Sequence, residues 1–388
     1  MIPILYYGNE KSFTSEGVGR LTDIQECKVT EERNGVYEVE FTYPVNAKYY
    51  KLLVQMVQAY AVGNLRSSGI IACIHDDDHD VQPFDIYSVS TPIDGIATFN
   101  AHHISYRLSG LVLFPLEAST CSGAFAAIQR NIAGESGGGT NYDDVQFTFS
   151  TDKSVTADFK VEAPKDVRSV LGGEEGSILD VYGAGEYLFD KFNVRFLNKR
   201  GKNSGVKINY GVNLMDVSRD IDSSGTFNCV CPYWEGDIFD EGYSENRHVV
   251  TTLYPNEVSY YVLADELAHA GVKHIIAPID FSQEFEDVPT TEQLIAISKL
   301  YLTLNKPWIP DENIKVDFLQ LWQTTDYEND HLIQKLSLCD TVSVYYEDIG
   351  IVADEQEVIK VVYDVILERY SSFEIGKPLR RLIDDFRN

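Results

Sequence analysis

The sequence predicts an α+β, mainly β protein in which two related small β-barrels carry two α/β insertions. Three observations lead there. Tyrosine and phenylalanine number 24 and 19 against three methionines, and aromatic side chains favour the half-buried surface of a strand. Residues 35–44, GVYEVEFTYP, alternate strictly, with Tyr37, Val39, Phe41 and Tyr43 on one face. The stretch 21–44, LTDIQECKVTEERNGVYEVEFTYP, is echoed by LMDVSRDIDSSGTFNCVCPYW at 214–234. Each has Leu-x-Asp-aliphatic, a polar excursion, a glycine, an aromatic two residues on and alternating apolar positions. The expected division is a first barrel at 1–105 and an α/β domain with a helix and a long hairpin at 106–204. A second, discontinuous barrel takes 205–240 and 310–370, and a helix-containing insertion takes 241–309 with the C-terminal segment 371–388.

The elements follow in order. FDIYSVSTPIDGIATFNAHHI (84–104) reads as a hairpin turning at Pro92, Asp94 and Gly95. In ASTCSGAFAAIQRNI the period lengthens, and Phe125, Ile128 and Ile132 fall on one helical face. GESGGGTN (134–141) is a loop. Residues 186–211 read as a second hairpin with its turn at Lys199 to Gly205. PTTEQLIAISKLYLTLN (289–305) opens on proline and the capping box Thr290-x-x-Gln293, which predicts a helix burying Leu294, Ile297, Tyr301 and Leu304. TVSVYY and EVIKVVYDVILERY return the chain to strands.

Composition narrows the function. A hydrophobic content of 44% over 388 residues is enough for more than one core. The start, MIPILYYGNEKSFTSEG, lacks a basic region followed by an apolar one, so no signal peptide is expected. No apolar run reaches the ~20 residues of a membrane helix. The six cysteines (27, 73, 121, 229, 231 and 339) are scattered and expected to be reduced. Cys229 and Cys231 share a strand face, with no second pair to complete a zinc site. A formal charge of −28 repels nucleic acid.

One stretch invites a metal. In HDDDHD, His75 and His79 bracket Asp76, Asp77 and Asp78, and Asp80 follows. A zinc-protease pair needs its histidines four apart on a helix, so that both imidazoles reach one ion. Here the stretch lies between the strands GIIACI and FDIYSV, and it lacks the turning glycine and distal glutamate of a calcium loop. A solvated hairpin tip is expected, with no metal. His269 and His274 in HAGVKH read as loop histidines. Of His102 and His103, one must face the core. SVLGGEEGSILDVYG (169–183) lacks the lysine of a phosphate loop. Lys199, Arg200 and Lys202 form a basic cluster, read as a solvated turn or a docking point for an acidic protein. No nucleophile, base and metal set has usable spacing, so no catalytic, cofactor-binding or metal residue is assigned and no enzyme activity is expected.

The run LGGEEGSILDVYGAGEYLFDKFNVRFLNKRGKNSGVKINYGVNLMDV (171–217) resembles the tail-associated hub proteins of siphophages infecting Gram-positive bacteria, the prophage endopeptidase tail family. The resemblance continues through DSSGTFNCVCPYW, IDFSQEFEDVPTTEQL, LSLCDTVSVYYEDIGI and VIKVVYDVILERY, departing at 256–274. It implies a fold similar to the trimeric hub of contractile-tailed phages, where two barrels per subunit form a pseudo-six-fold ring. The implied partners are two further copies of the chain, a hexameric distal tail protein, the tape measure protein and receptor-binding or baseplate proteins. The implied place is the virion tail tip, after synthesis in the host cytoplasm. Peptidoglycan hydrolysis in the family belongs to C-terminal extensions, and the sequence stops at RRLIDDFRN, so a structural hub is expected here. A tail endopeptidase and a host-carbohydrate-binding tail protein are the alternatives. A hub passes DNA through its lumen without binding it, which an acidic lining favours.

Overall fold

A computed structural model describes the chain except residues 77–79, 134–146, 175, 184, 210–213, 239–246, 254–259, 269–270, 286, 319–335, 347–350 and 377–388. The expected loop at 134–141 and His79 lie outside the described residues. Two compact units are present. One comprises Met1–Ser218 with Ile314–Gly376, the other Arg219–Asn313.

The first unit begins with β1 (Ile4–Tyr7), β2 (Gly19–Arg20), β3 (Glu26–Glu32) and β4 (Tyr37–Pro44). Helix α1 (Tyr50–Ala61) and strands β5 (Gly69–Cys73), β6 (Gln82–Ser90) and β7 (Ile96–His103) follow. Strand β4 buries Tyr37, Val39, Phe41 and Tyr43, the face that its alternation predicts. The β6–β7 hairpin turns where expected, with Gly95 at φ 82° and the Asp94 carboxylate accepting from the Ile96 N–H at 3.0 Å. His103 is buried and His102 half-buried at the end of β7, one on each face.

An α/β module follows. It holds β8 (Val112–Leu113), β9 (Leu116–Thr120), α2 (Cys121–Ile132), β10 (Thr148–Thr151), β11 (Thr156–Val161) and β12 (Lys165–Asp166). Helices α3 (Val167–Leu171) and α4 (Ile178–Val181) lead to β13 (Glu186–Asp190) and β14 (Asn193–Leu197). Thr120 caps α2 by accepting from the Gly123 N–H, and Phe125, Ile128 and Ile132 are buried, as the helical spacing predicts. These residues and Phe196, Phe159 and Val194 form a core of their own.

The hairpin expected to turn at 199–205 turns earlier. Strands β13 and β14 pair antiparallel across Lys191 and Phe192, with Lys191 at φ 52°. Residues 198–202 instead carry the chain to β15 (Asn203–Asn209), which pairs in parallel with β22 (Thr341–Tyr346). The glycine there is not a turn signal. A Cβ on Gly201 would lie 1.9 Å from the Cys339 carbonyl oxygen, so glycine is needed for close backbone approach.

Strand β16 (Leu214–Asp222) runs out of the first unit, and β21 (Asp311–Phe318) returns to it. After β22 come β23 (Ile351–Asp364) and β24 (Arg369–Gly376). The main sheet runs β16-β21-β24-β23-β3-β4-β7-β6-β5-β1-β2, and β22 and β15 branch from β23. Its two halves meet where Lys28–Glu32 of β3 lie antiparallel to Lys360–Asp364 of β23. Among the described residues this is one open path, so two closed barrels are not seen. The sequence echo is not repeated as a hairpin either. Strands β3 and β4 pair with each other, whereas β16 stays in the main sheet and β17 (Cys229–Ile238) joins another. Alternation fixes which face of a strand is apolar but not which sheet it joins.

In the second unit β17 pairs with β18 (Arg247–Thr252), β19 (Val262–Leu263) and β20 (Ile276–Asp280). Cys229 is buried and Cys231 half-buried, and all six cysteines are free thiols. Helix α5 (Thr291–Asn305) has the complete capping box of Thr290 and Gln293. Its buried stripe is Leu294, Ser298 and Leu302, with Leu304 71% exposed, so the expected face is rotated. The Ser298 hydroxyl donates to the Leu294 carbonyl at 2.7 Å, which lets a polar residue sit inside at no unsatisfied cost. Thr290→Ala removes the cap, and a loss of about 1 kcal/mol from the unit's unfolding free energy is expected by urea titration; an unchanged midpoint would show that the cap is redundant.

Candidate functional site

The chemistry of the first unit concentrates in a buried cluster of ionisable side chains. Its centre is Glu31. On β3, Glu31 falls in step with Cys27 and Val29, on the inward face, so its carboxylate enters the core side of the sheet. A buried charge needs a partner and further hydrogen bonds. Arg200 supplies them as a two-pronged pair, Nη1 to Oε1 at 2.6 Å and Nη2 to Oε2 at 3.2 Å. The Nδ1 of His75 approaches Glu31 Oε2 at 3.2 Å, and its Nε2 lies 3.5 Å from Asp76. Side-chain exposures of 3% for His75, 6% for Glu31, 8% for Asp76 and 12% for Arg200 make all four interior groups.

The electrostatics follow from that burial. Desolvation pushes the Glu31 carboxyl up, but Arg200 and His75 outweigh it and hold the group far below the usual carboxylate range. Burial lowers the Arg200 pKa and Glu31 more than restores it. Behind them, His103 stacks on Tyr37 at 4.4 Å between centroids, and burial keeps its imidazole neutral. Gln82 joins the network, its amide oxygen 3.3 Å from His103 Nε2 and its amide N–H donating to Asp190 at 2.9 Å.

Two sequence expectations are therefore corrected. His75 and Asp76 are not at a solvated tip. Strand β5 ends at Cys73, yet His75 and Asp76 beyond it stay buried, with His75 against Glu31; Asp80, by contrast, is exposed and paired with Lys191 at 3.2 Å. Arg200 is not part of a solvated turn, although Lys199 and Lys202 are exposed. His274 sits exposed beside the Tyr261 hydroxyl, as expected of a loop histidine, and His269 lies outside the described residues. A signal for Glu31 existed: a glutamate in register with buried Cys27 and Val29 must find a cation. Nothing local named Arg200, 169 residues away.

A second cluster adjoins the first. Atoms of Glu186, Cys339 and Glu357 lie within 4.8 Å of one another, the first two residues buried and the third half-buried. Arg33 pairs with Glu357, and the Arg200 N–H donates to Glu186. With carboxylates already engaged by cationic and N–H donors, the group is a joint between strands rather than an open coordination shell. An open cleft of about 380 Å³ lies elsewhere in the unit, lined by Gly8, Lys11, Asn64, Arg66, Arg107 and Phe192. Its deepest cation, Arg107, is engaged by both oxygens of Asp85 at 2.6 and 2.7 Å, so the cleft is framed by an internal ion pair.

No protein-family model matches the chain, and no curated protein matches it. Solved structures do. The prophage tail protein gp18 of Listeria monocytogenes EGD-e aligns over 100% of this chain and 98% of its own, at 14% identity and a TM-score of 0.55. The chain has the fold of phage tail proteins. The 43 kDa tail protein of prophage MuSo2 from Shewanella oneidensis shares that tail-protein fold over 97% of this chain and 99% of its own, with 10% identity and a TM-score of 0.54. A tail protein from Neisseria meningitidis MC58 does so over 97% and 96%, with 9% identity and a TM-score of 0.51. The tail-protein fold thus spans both units of this chain, and it agrees with the class to which the motifs from residue 171 onward point.

Proposed function

We propose that this chain is a structural subunit of a phage or prophage tail tip, a hub that assembles as a homotrimer and joins the distal tail protein ring to the baseplate. The observation that carries the reading is near end-to-end correspondence with prophage tail proteins from distant bacteria, in both directions of alignment. A shared scaffold at such low identity favours a common architectural task, since fold alone does not fix chemistry. In this reading the two halves of the main sheet, on either side of the β3–β23 seam, serve as the two related modules per subunit. Three subunits then present six modules to a six-fold tube. The tape measure protein and receptor-binding proteins are the further neighbours, and the chain needs no cofactor and carries no hydrolase. Its charge of −28 keeps an acidic lumen from holding DNA phosphates as the genome passes. No helix among the described residues is long and apolar enough to cross a membrane.

Light scattering on the eluting protein tests the reading. The expected mass is three times the 43.7 kDa of one chain, and a ring is expected in negative-stain images. A monomer at micromolar concentrations and in the presence of its distal tail protein would overturn it.

A further inference from the structure

The joint between β13 and β23 brings two carboxylates together beside one directly paired arginine. Glu186 opens β13 and is 7% exposed. Glu357 lies on β23 opposite Thr341 of β22. One Glu357 oxygen pairs with Arg33, while the other, Oε1, is buried with no hydrogen-bond partner among the described residues. Glu186, whose ligand-type oxygen is within 4.8 Å, cannot supply a donor while ionised.

From the β3–β4 turn comes Arg33, whose backbone N–H also donates to the Ile359 carbonyl at 2.8 Å. The crossover contributes Lys199, donating to the Thr341 hydroxyl at 3.2 Å, and Arg200, whose guanidinium is engaged by Glu31. Before β22 stand Cys339, fully buried, and Asp340, whose oxygens accept from the backbone N–H groups of Lys202 and Ser337 at 2.8 and 2.9 Å. The backbone is as tight as the side chains: the Thr341 N–H donates to the Lys202 carbonyl at 2.9 Å, beside the Gly201–Cys339 approach.

We propose that Glu357 keeps its proton in the folded protein and directs it from Oε1 towards the Glu186 carboxylate, forming an acid-closed latch between the β13–β14 hairpin and strand β23. With the proton between them, the stranded Oε1 gains a partner and one carboxylate is neutral. When it leaves, two like charges face each other in an interior where water screens poorly, and the hairpin is pushed from the sheet. The electrostatics agree. Burial first, then the Glu186 carboxyl, push Glu357 up from 4.5 to about 7, against the pull of Arg33 and, more weakly, Lys199. A carboxyl raised in the folded state stabilises fully below about 4.5 and loses that contribution as pH rises through about 7. Glu31 is held far below neutrality and does not titrate in this window.

This latch rests on the joint alone, so a chain that proved monomeric would leave it standing. The test is amide hydrogen exchange across β13 and β23, corrected for intrinsic rates, at pH 6 and pH 9. In the parent protein, protection of Tyr187–Asp190 is expected to fall by about tenfold over that interval. In Glu357→Gln, whose amide donates to Glu186 at every pH, the fall should disappear. Equal falls in parent and variant would overturn the proposal. Should Glu357→Gln fail to fold, infrared difference spectra of the unaltered protein decide instead. A protonated-carboxyl band present at pH 6 and gone at pH 9 supports the latch, and its absence at pH 6 rejects it.

Discussion

Replacing Arg200 with methionine is expected to destabilise the first unit by about 3–5 kcal/mol, because it strands the Glu31 carboxylate in the interior. For a unit of this size that lowers the calorimetric midpoint on the order of 10 °C. The informative comparison is Glu31→Leu with Arg200→Met. Removing both charges together removes the desolvation penalty as well as the attraction, and such exchanges are often neutral. The double variant should therefore recover most of what the single one loses. If single and double variants melt together, the loss is one of packing and the electrostatic account is wrong. His75, 3.2 Å from Glu31, softens the single change by offering a second donor, so Arg200→Met with His75→Leu should fall further still.

The second large effect lies in the N-terminal half of the sheet. Phe41 on β4 stands directly opposite Phe99 on β7, the rings stacked at 5.1 Å and 10°, and both are fully buried. Phe41→Ala removes the ring and leaves a cavity that the flanking strands can only partly close, at a cost of about 3–5 kcal/mol. A urea midpoint that moves by the equivalent of less than 1 kcal/mol would mean that the half-sheet repacks freely. The contrast is Leu304 on α5, which the helical pattern places inward but which is 71% exposed; its alanine variant should stay within about 0.5 kcal/mol of the parent.

Legibility followed the range of the interaction. Alternation in β4, the amphipathic spacing of α2, the Thr290–Gln293 box and the opposite fates of His102 and His103 are decided within a few residues, and all were readable. Helix α5 was readable as a helix but not in its orientation, because Ser298 satisfies its own hydroxyl and so takes a place that hydropathy reserves for leucine. The parallel pairing of β15 with β22 joins chain segments over a hundred residues apart, and β17 takes its partners from β18, β19 and β20, a choice that alternation does not encode. The charged interior was least visible. Glu31, His75 and Arg200 come from three separate stretches, and each alone resembles an ordinary surface residue. HDDDHD drew attention for a metal, whereas its first histidine serves a carboxylate far upstream. The Glu186–Glu357 joint left no local trace, since neither residue has a telling neighbour in sequence.

The seam between the sheet's halves also sets a timetable. Strand β3 is flanked in the native fold by β4, made at once, and by β23, whose residues Ile351–Asp364 are made long afterwards. A ribosome adding about 5–20 residues per second leaves β3 without its second neighbour for roughly 15–65 s. Throughout that interval the nascent chain offers an unpaired backbone edge to any other strand nearby, on its own polysome above all. Each newly made copy is thus at its most adhesive before it is complete, and slowing initiation, so that fewer half-made chains crowd one message, is the natural remedy for poor yield.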